Sequence, residues 1–119
     1  MLTTQQTFDK IVERSKDLRK SERPNADNRA FCKVICAYRG EGNLACFAGI
    51  LISDENYCVT LEGHSATEPR VQRALQLSSV HPGDLALVRR CQTIHDSCSP
   101  DEWKSELERA AKEFYVTYR

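Results

Sequence analysis

Cys46 and His95 are the residues of this 119-residue chain whose surroundings best suit chemistry. Cys46 follows the turn Gly40-Glu41-Gly42-Asn43 and could open a helix. A helix N-terminus lowers a thiol pKa and favours the nucleophilic thiolate. His95 would then serve as general base, with an acid to orient it; such sites are defined by geometry and not by chain order. Asp96 is the nearest acid in sequence. Adjacent residues on a helix point about 100° apart, which makes His95 and Asp96 a poor mutual pair. Packing competes with this thiol-enzyme reading. Cys32, Cys36, Cys46, Cys58, Cys91 and Cys98 mostly occupy apolar-face positions, and a buried free cysteine behaves as a small hydrophobe.

Other chemistries find less support. Cys32 and Cys36 are four apart in an expected strand, Cys91 and Cys98 are two helical turns apart, and His64 and His81 sit in separate loops. Structural zinc needs two closely spaced ligand pairs, so neither metal nor cofactor is expected. Arg39-Gly40-Glu41-Gly42 lacks the lysine and the length of a phosphate loop. Nucleic-acid binding would rest on Lys10, Arg14, Lys16, Arg19, Lys20, Arg23 and Arg29, but Asp9, Glu13 and Asp17 dilute that surface. A protein-binding surface is the broadest reading. Its candidate contacts are the acidic-aromatic residues Asp54, Glu55, Tyr57 and Glu62 with Arg39, and the basic Lys16, Arg19 and Lys20. Charge complementarity would then supply orientation and speed of encounter.

The elements that must position these residues follow from periodicity. Residues 3–22 read as a helix with Phe8, Ile11, Val12 and Leu18 on one stripe and Ser15 in its gap. Thr3 and Gln6 fit a capping box, and Pro24 forces the stop. Residues 23–29 read as a loop and 30–39 as a covered strand. The apolar run 44–52 reads as a brief returning strand and then a short helix, with Gly49 marking a close helix–backbone contact. Tyr57–Leu61 reads as a second short strand. Thr67 should cap a short helix from Glu68 to Leu77, with Pro69 in its first turn. Asp84 should cap a helix whose stripe is Leu87, Val88, Cys91, Ile94 and His95. Ser99-Pro100-Asp101-Glu102 is a capping box that opens the last helix, with Trp103, Leu107, Ala110, Ala111 and Phe114 on its inner face.

The fold expected is therefore α+β in one domain, 1–119: an N-terminal helix, a short antiparallel hairpin or small sheet, and a C-terminal helical hairpin. The composition is 40% hydrophobic and 29% charged, which excludes a disordered chain. No apolar run approaches the roughly 20 residues that span a bilayer. The polar start MLTTQQTFDK lacks the apolar core of a leader, so a cytosolic protein with free thiols is expected. Net charge is zero but uneven. Residues 1–40 hold nine Lys/Arg against five Asp/Glu, a balance of +4, and the remainder holds eight against twelve.

Two segments resemble a pattern in small phage and prophage proteins. In YRGEGNLACFAGILISDENYCVTLEG the matching positions are Tyr38, Arg39, Gly42, Cys46, Gly49, Leu51, Ile52, Asp54, Glu55, Tyr57, Glu62 and Gly63. In RCQTIHDSCSPDEWKSELERAA they are Gln92, Ile94, His95, Asp96 and Trp103. The chain departs from the pattern with Phe47 for alanine, Ser53 for proline and Cys91 for leucine. The resemblance implies a protein that binds a host or defence protein, or a nucleic-acid-binding complex, in the manner of an anti-CRISPR inhibitor. The rival readings are the thiol enzyme of Cys46 and His95, and direct nucleic-acid binding through the first helix.

Overall fold

The computed structural model describes residues 1–24 and 34–119. The loop expected over 25–29, the first part of the expected strand (30–33) and Cys32 lie outside the described residues. Four α-helices carry the fold among those described: α1 (Thr4–Ser15), α2 (Pro69–Leu77), α3 (Leu85–Ser97) and α4 (Trp103–Glu113). One core draws on all four, with Phe8 and Ile11 of α1, Val71 and Leu75 of α2, Leu87 and Ile94 of α3, and Trp103 and Leu107 of α4. No described helix is long and apolar enough to cross a membrane.

The start of α1 matches its sequence signal. Thr3 Oγ1 accepts from the Gln6 N–H at 3.0 Å, and Gln6 Oε1 accepts from the Thr3 N–H at 2.8 Å. Phe8, Ile11 and Val12 are buried. The end does not match: α1 stops at Ser15, not at 22. The cause is Arg14. Its guanidinium is buried and donates to the carbonyls of Ala45, Asp17 (2.9 Å) and Arg19 (2.7 Å). A continuing helix needs the Asp17 carbonyl for the Ser21 N–H. That N–H instead donates to His95 Nε2 at 3.2 Å. Leu18, expected on the apolar stripe, is 61% exposed as a result.

The α3–α4 hairpin forms where periodicity places it. Leu87, Val88, Cys91, Ile94 and His95 are buried along α3, and Trp103, Leu107, Ala110 and Ala111 along α4. Ser99 and Glu102 make the expected capping box. Asp84 stands at the N-cap of α3 as expected, but its side chain makes no cap bond; it accepts from Thr4 Oγ1 at 2.7 Å and ties the start of α3 to the start of α1. Thr67 does not cap α2, whose N-cap is Glu68, while Pro69 takes the first helical position. Past α4 the chain returns along α1, where Gln5 accepts from the Thr117 N–H and donates to the Thr117 carbonyl, both at 2.8 Å.

The α+β expectation is overturned, because the protein is mainly helical. The strands among the described residues are β1 (Glu22–Pro24) and β2 (Val34–Cys36), paired antiparallel with Glu22 opposite Cys36. This ladder is too short to form a layer. Among the described residues neither a hairpin between 30–39 and 44–52 nor a strand over 57–61 is present; single 3-10 turns stand at Gly49–Leu51 and Val59–Leu61. The physical reason is that side chains take the amides a returning strand would have paired. Glu62 accepts from the N–H groups of Tyr38 (2.9 Å) and Arg39 (3.0 Å), and Gln92 Oε1 accepts from Ala48 N–H at 2.8 Å. Gly49 does mark a close contact. A Cβ there would overlap the Tyr38 carbonyl, so only glycine lets this turn lie on that backbone. The turn at Glu41–Asn43 uses left-handed residues at Gly42 (φ 70°) and Asn43 (φ 59°).

Candidate functional site

His95 is the centre of the polar interior. It projects from α3 and is 1% exposed. Its ring stacks on Trp103 with centroids 5.3 Å apart and meets Phe47 edge-on at 5.1 Å. The Ser21 N–H occupies Nε2. Nδ1 lies 2.9 Å from Asp96 Oδ1 and 3.8 Å from Cys36 Sγ. Because Nε2 accepts, the proton of the neutral ring sits on Nδ1 and is donated to Asp96. Asp96 was expected to pair poorly with its neighbour, yet its carboxylate folds back across the helix surface and reaches the ring.

Gln92 completes the cluster one helical turn before Asp96. With Oε1 held by Ala48 N–H, its amide nitrogen must face Cys36 Sγ (3.1 Å) and Asp96 Oδ1 (2.9 Å). The Cys36 thiol is held far above its ordinary pKa, first by a hydrogen bond with Cys46 and then by burial. Burial alone would raise Asp96, but hydrogen bonds from His95, Cys36 and Gln92 outweigh it and hold the carboxyl below its ordinary value. Burial likewise opposes charging His95, and the bonds to Asp96 and Cys36 outweigh it and raise the ring. The second proton must nevertheless go on Nε2, which faces the Ser21 N–H.

These positions limit the chemistry. The cysteine beside His95 is Cys36; Cys46 is fully buried, and its Sγ accepts from Gly49 N–H at 3.3 Å. A general base needs a free nitrogen lone pair, and the His95 ring has none to offer Cys36. Cys36, His95 and Asp96 also bring a sulfur, a nitrogen and an oxygen within 4.8 Å of one another, so among the described residues they are the group that could hold a metal. Ligation through Nδ1 would put the ring proton on Nε2, against the Ser21 N–H, and orphan that buried donor. The arrangement suits a saturated hydrogen-bond network better than a thiolate or a ligand set.

A cleft of about 540 Å³ opens beside the cluster, within the usual range for ligand pockets. Cys36, Tyr38, Gln92 and Asp96 line one part of it; Arg89 and Thr93 of α3 and the loop 63–67 line the rest.

The residues read from the sequence as partner contacts divide into separate neighbourhoods. Glu62 is 10% exposed at its side chain and also accepts from Tyr57 Oη at 2.7 Å. Arg39 donates to the Ile52 carbonyl (2.7 Å) and to Asp54 Oδ1 (3.0 Å), with its guanidinium over the Tyr57 ring. Arg39, Tyr57 and Glu62 therefore fasten the chain, while Asp54 and Glu55 face solvent. Lys16 pairs with Glu13, Arg19 with Asp17, and Lys20 bonds the Asp96 carbonyl at 3.2 Å.

Sequence reasoning did not place Ser21, Cys36, Gln92 or Arg14 in this network. Two signals were present: Arg14 interrupts the apolar stripe of α1, and Gln92 and Asp96 are polar residues one turn apart beside buried Cys91 and His95. None of the protein families, curated proteins or solved structures compared with the chain matches it.

Proposed function

We propose that the protein acts by binding another protein, and that the Cys36–His95–Asp96 cluster fastens the fold instead of carrying a reaction. The observation that carries this reading is the occupied imidazole: Nε2 accepts the Ser21 N–H and Nδ1 donates to Asp96, so neither nitrogen is free to take a proton from Cys36. Around this closed network the surface still offers an open cleft and the solvent-facing acids Asp54 and Glu55. The resemblance to phage and prophage proteins makes a host or defence protein, or a nucleic-acid-binding complex of that kind, the partner to test first, with the host cytosol as its place. Direct nucleic-acid binding through the basic N-terminal segment is the weaker reading. Lys16 and Arg19 are already paired with acids of their own segment, and paired cations release few counterions from a nucleic acid.

The test is affinity capture from bacterial lysate with tagged, folded protein, run beside Cys36→Ser. A protein retained equally by both supports the reading. Retention of nothing overturns it, as does retention that depends on the sulfur while the serine variant stays folded.

A further inference from the structure

The cleft is lined by a cation and by backbone donors that have no partner among the described residues. Arg89 lies on its α3 wall, is exposed, and forms no ion pair or side-chain hydrogen bond among the described residues. Asp96 and His64, also on the lining, are engaged. Asp96 Oδ1 takes His95 and Gln92, and His64 Nδ1 sits 2.5 Å from Glu68 Oε2. Lys20 rests on the Asp96 carbonyl. The backbone N–H groups of Ser65 and Ala66, which also line the cleft, have no acceptor among the described residues. The Ser65 and Thr67 hydroxyls, 2.9 Å apart and exposed, stand beside them.

We propose that this cleft receives a carboxylate side chain from an acidic segment of a partner protein, with Arg89 as its cation and the 65–66 backbone as its donors. The inference rests on the binding reading above and names the chemistry of what is bound. Charge-assisted bonds from a guanidinium and from backbone N–H groups are the stronger kind for such an anion. Asp96 lines the cleft too, seven residues or about 10 Å along the helix from Arg89, and its Oδ1 already takes His95 and Gln92.

The test follows the backbone amide resonances of the full chain during titration with three short peptides. One is a doubly blocked Ala-Glu-Glu-Ala, one its doubly blocked Gln counterpart, and one an acetylated tetra-alanine with a free terminal carboxylate. The Glu peptide should shift residues 63–67 and 89–96, and the Gln peptide should bind about tenfold more weakly. Arg89→Gln should lose that preference while the rest of its spectrum stays in place. Equal shifts by the Glu and Gln peptides, shifts elsewhere on the protein, or none at millimolar Glu peptide overturn the proposal. Stronger binding of the tetra-alanine overturns the side-chain source of the carboxylate. If the peptide leaves the cleft unmoved while capture still retains a partner, this assignment falls and the binding reading stands. If the peptide binds and capture retains nothing, the reverse holds.

Discussion

Replacing Glu62 with alanine should cost about 3–5 kcal/mol of folding stability. The figure follows from what the carboxylate holds. Tyr38 is 6% exposed, and its N–H has Glu62 as acceptor at 2.9 Å. Losing that bond leaves a buried donor unsatisfied, which costs about 1–3 kcal/mol. The Arg39 N–H at 3.0 Å and Tyr57 Oη at 2.7 Å belong to half-buried residues that water can reach. Each therefore adds only about 1 kcal/mol. Arg23, 3.7 Å away and partly exposed, adds little. Glu62→Gln keeps one acceptor oxygen and should lose roughly half as much. The assay is urea unfolding followed by tryptophan fluorescence. With a slope of about 2 kcal/mol per molar, the alanine midpoint should fall by about 2 M, with the slope unchanged. A fall below about 0.5 M would refute the reasoning. It would mean that Glu62 does not clamp 38–39 and is the free surface acid that a partner could use.

Three further outcomes are expected. Trp103→Ala should destabilise by about 3–5 kcal/mol, since the ring is fully buried against His95 and Phe47, whereas Trp103→Phe should lose less; equal urea midpoints for the two would contradict that packing. Among the described cysteines, Cys58 should react first with iodoacetamide in the native state. It is exposed, and hydrogen bonds from the Thr60 hydroxyl and backbone lower its thiol pKa, whereas Cys91 is buried and pushed up to about 12; mass spectrometry that finds Cys36 or Cys46 labelled ahead of Cys58 would refute it. Asp96 titrates below its ordinary value in the folded chain, so the unfolded chain takes up the proton first as pH falls. Its stabilisation is present above a pH of about 4 and is lost as the pH drops below it. Asp96→Asn keeps an acceptor for His95 and Gln92 and should flatten that part of the stability profile; equal losses between pH 5 and pH 3 would show that Asp96 does not contribute.

What could be read from the sequence and what could not divide along the range of the interactions. Thr3 with Gln6 and Ser99 with Glu102 are contacts three residues apart, and both capping boxes formed. The stripes of α3 and α4 are equally local in origin, and they buried the residues expected except Phe114, which is half-buried at the C-cap of α4. The end of α1 was not legible, because it is set by carbonyls that Arg14 gathers from 17, 19 and 45, and by a ring 74 residues from Ser21. The apolar run 44–52 was misread for the same reason. Its composition suits a strand, but Gln92 and Glu62 supply the acceptors from distant segments, and no strand is needed. His95 and Asp96 were recognised as a pair worth weighing, while Cys36 was seen only as half of a weak zinc motif. Register could not reveal that the return of the chain from β2 brings Cys36, and not Cys46, to the imidazole.

The use of side chains as backbone partners bears on how the molecule opens. A β-ladder can fray from its end, one bond at a time. Glu62, Gln92, His95 and Gln5 instead each pin an amide that is 23 or more residues away in the chain, the nearest being Arg39. Releasing an amide of this set separates two segments that are distant in the chain. The region with the least regular structure should therefore be among the most cooperative. The amides of Ser21, Tyr38 and Ala48 should exchange with solvent in step with the α3–α4 hairpin, as one opening unit, while the exposed end of α2 exchanges ahead of them.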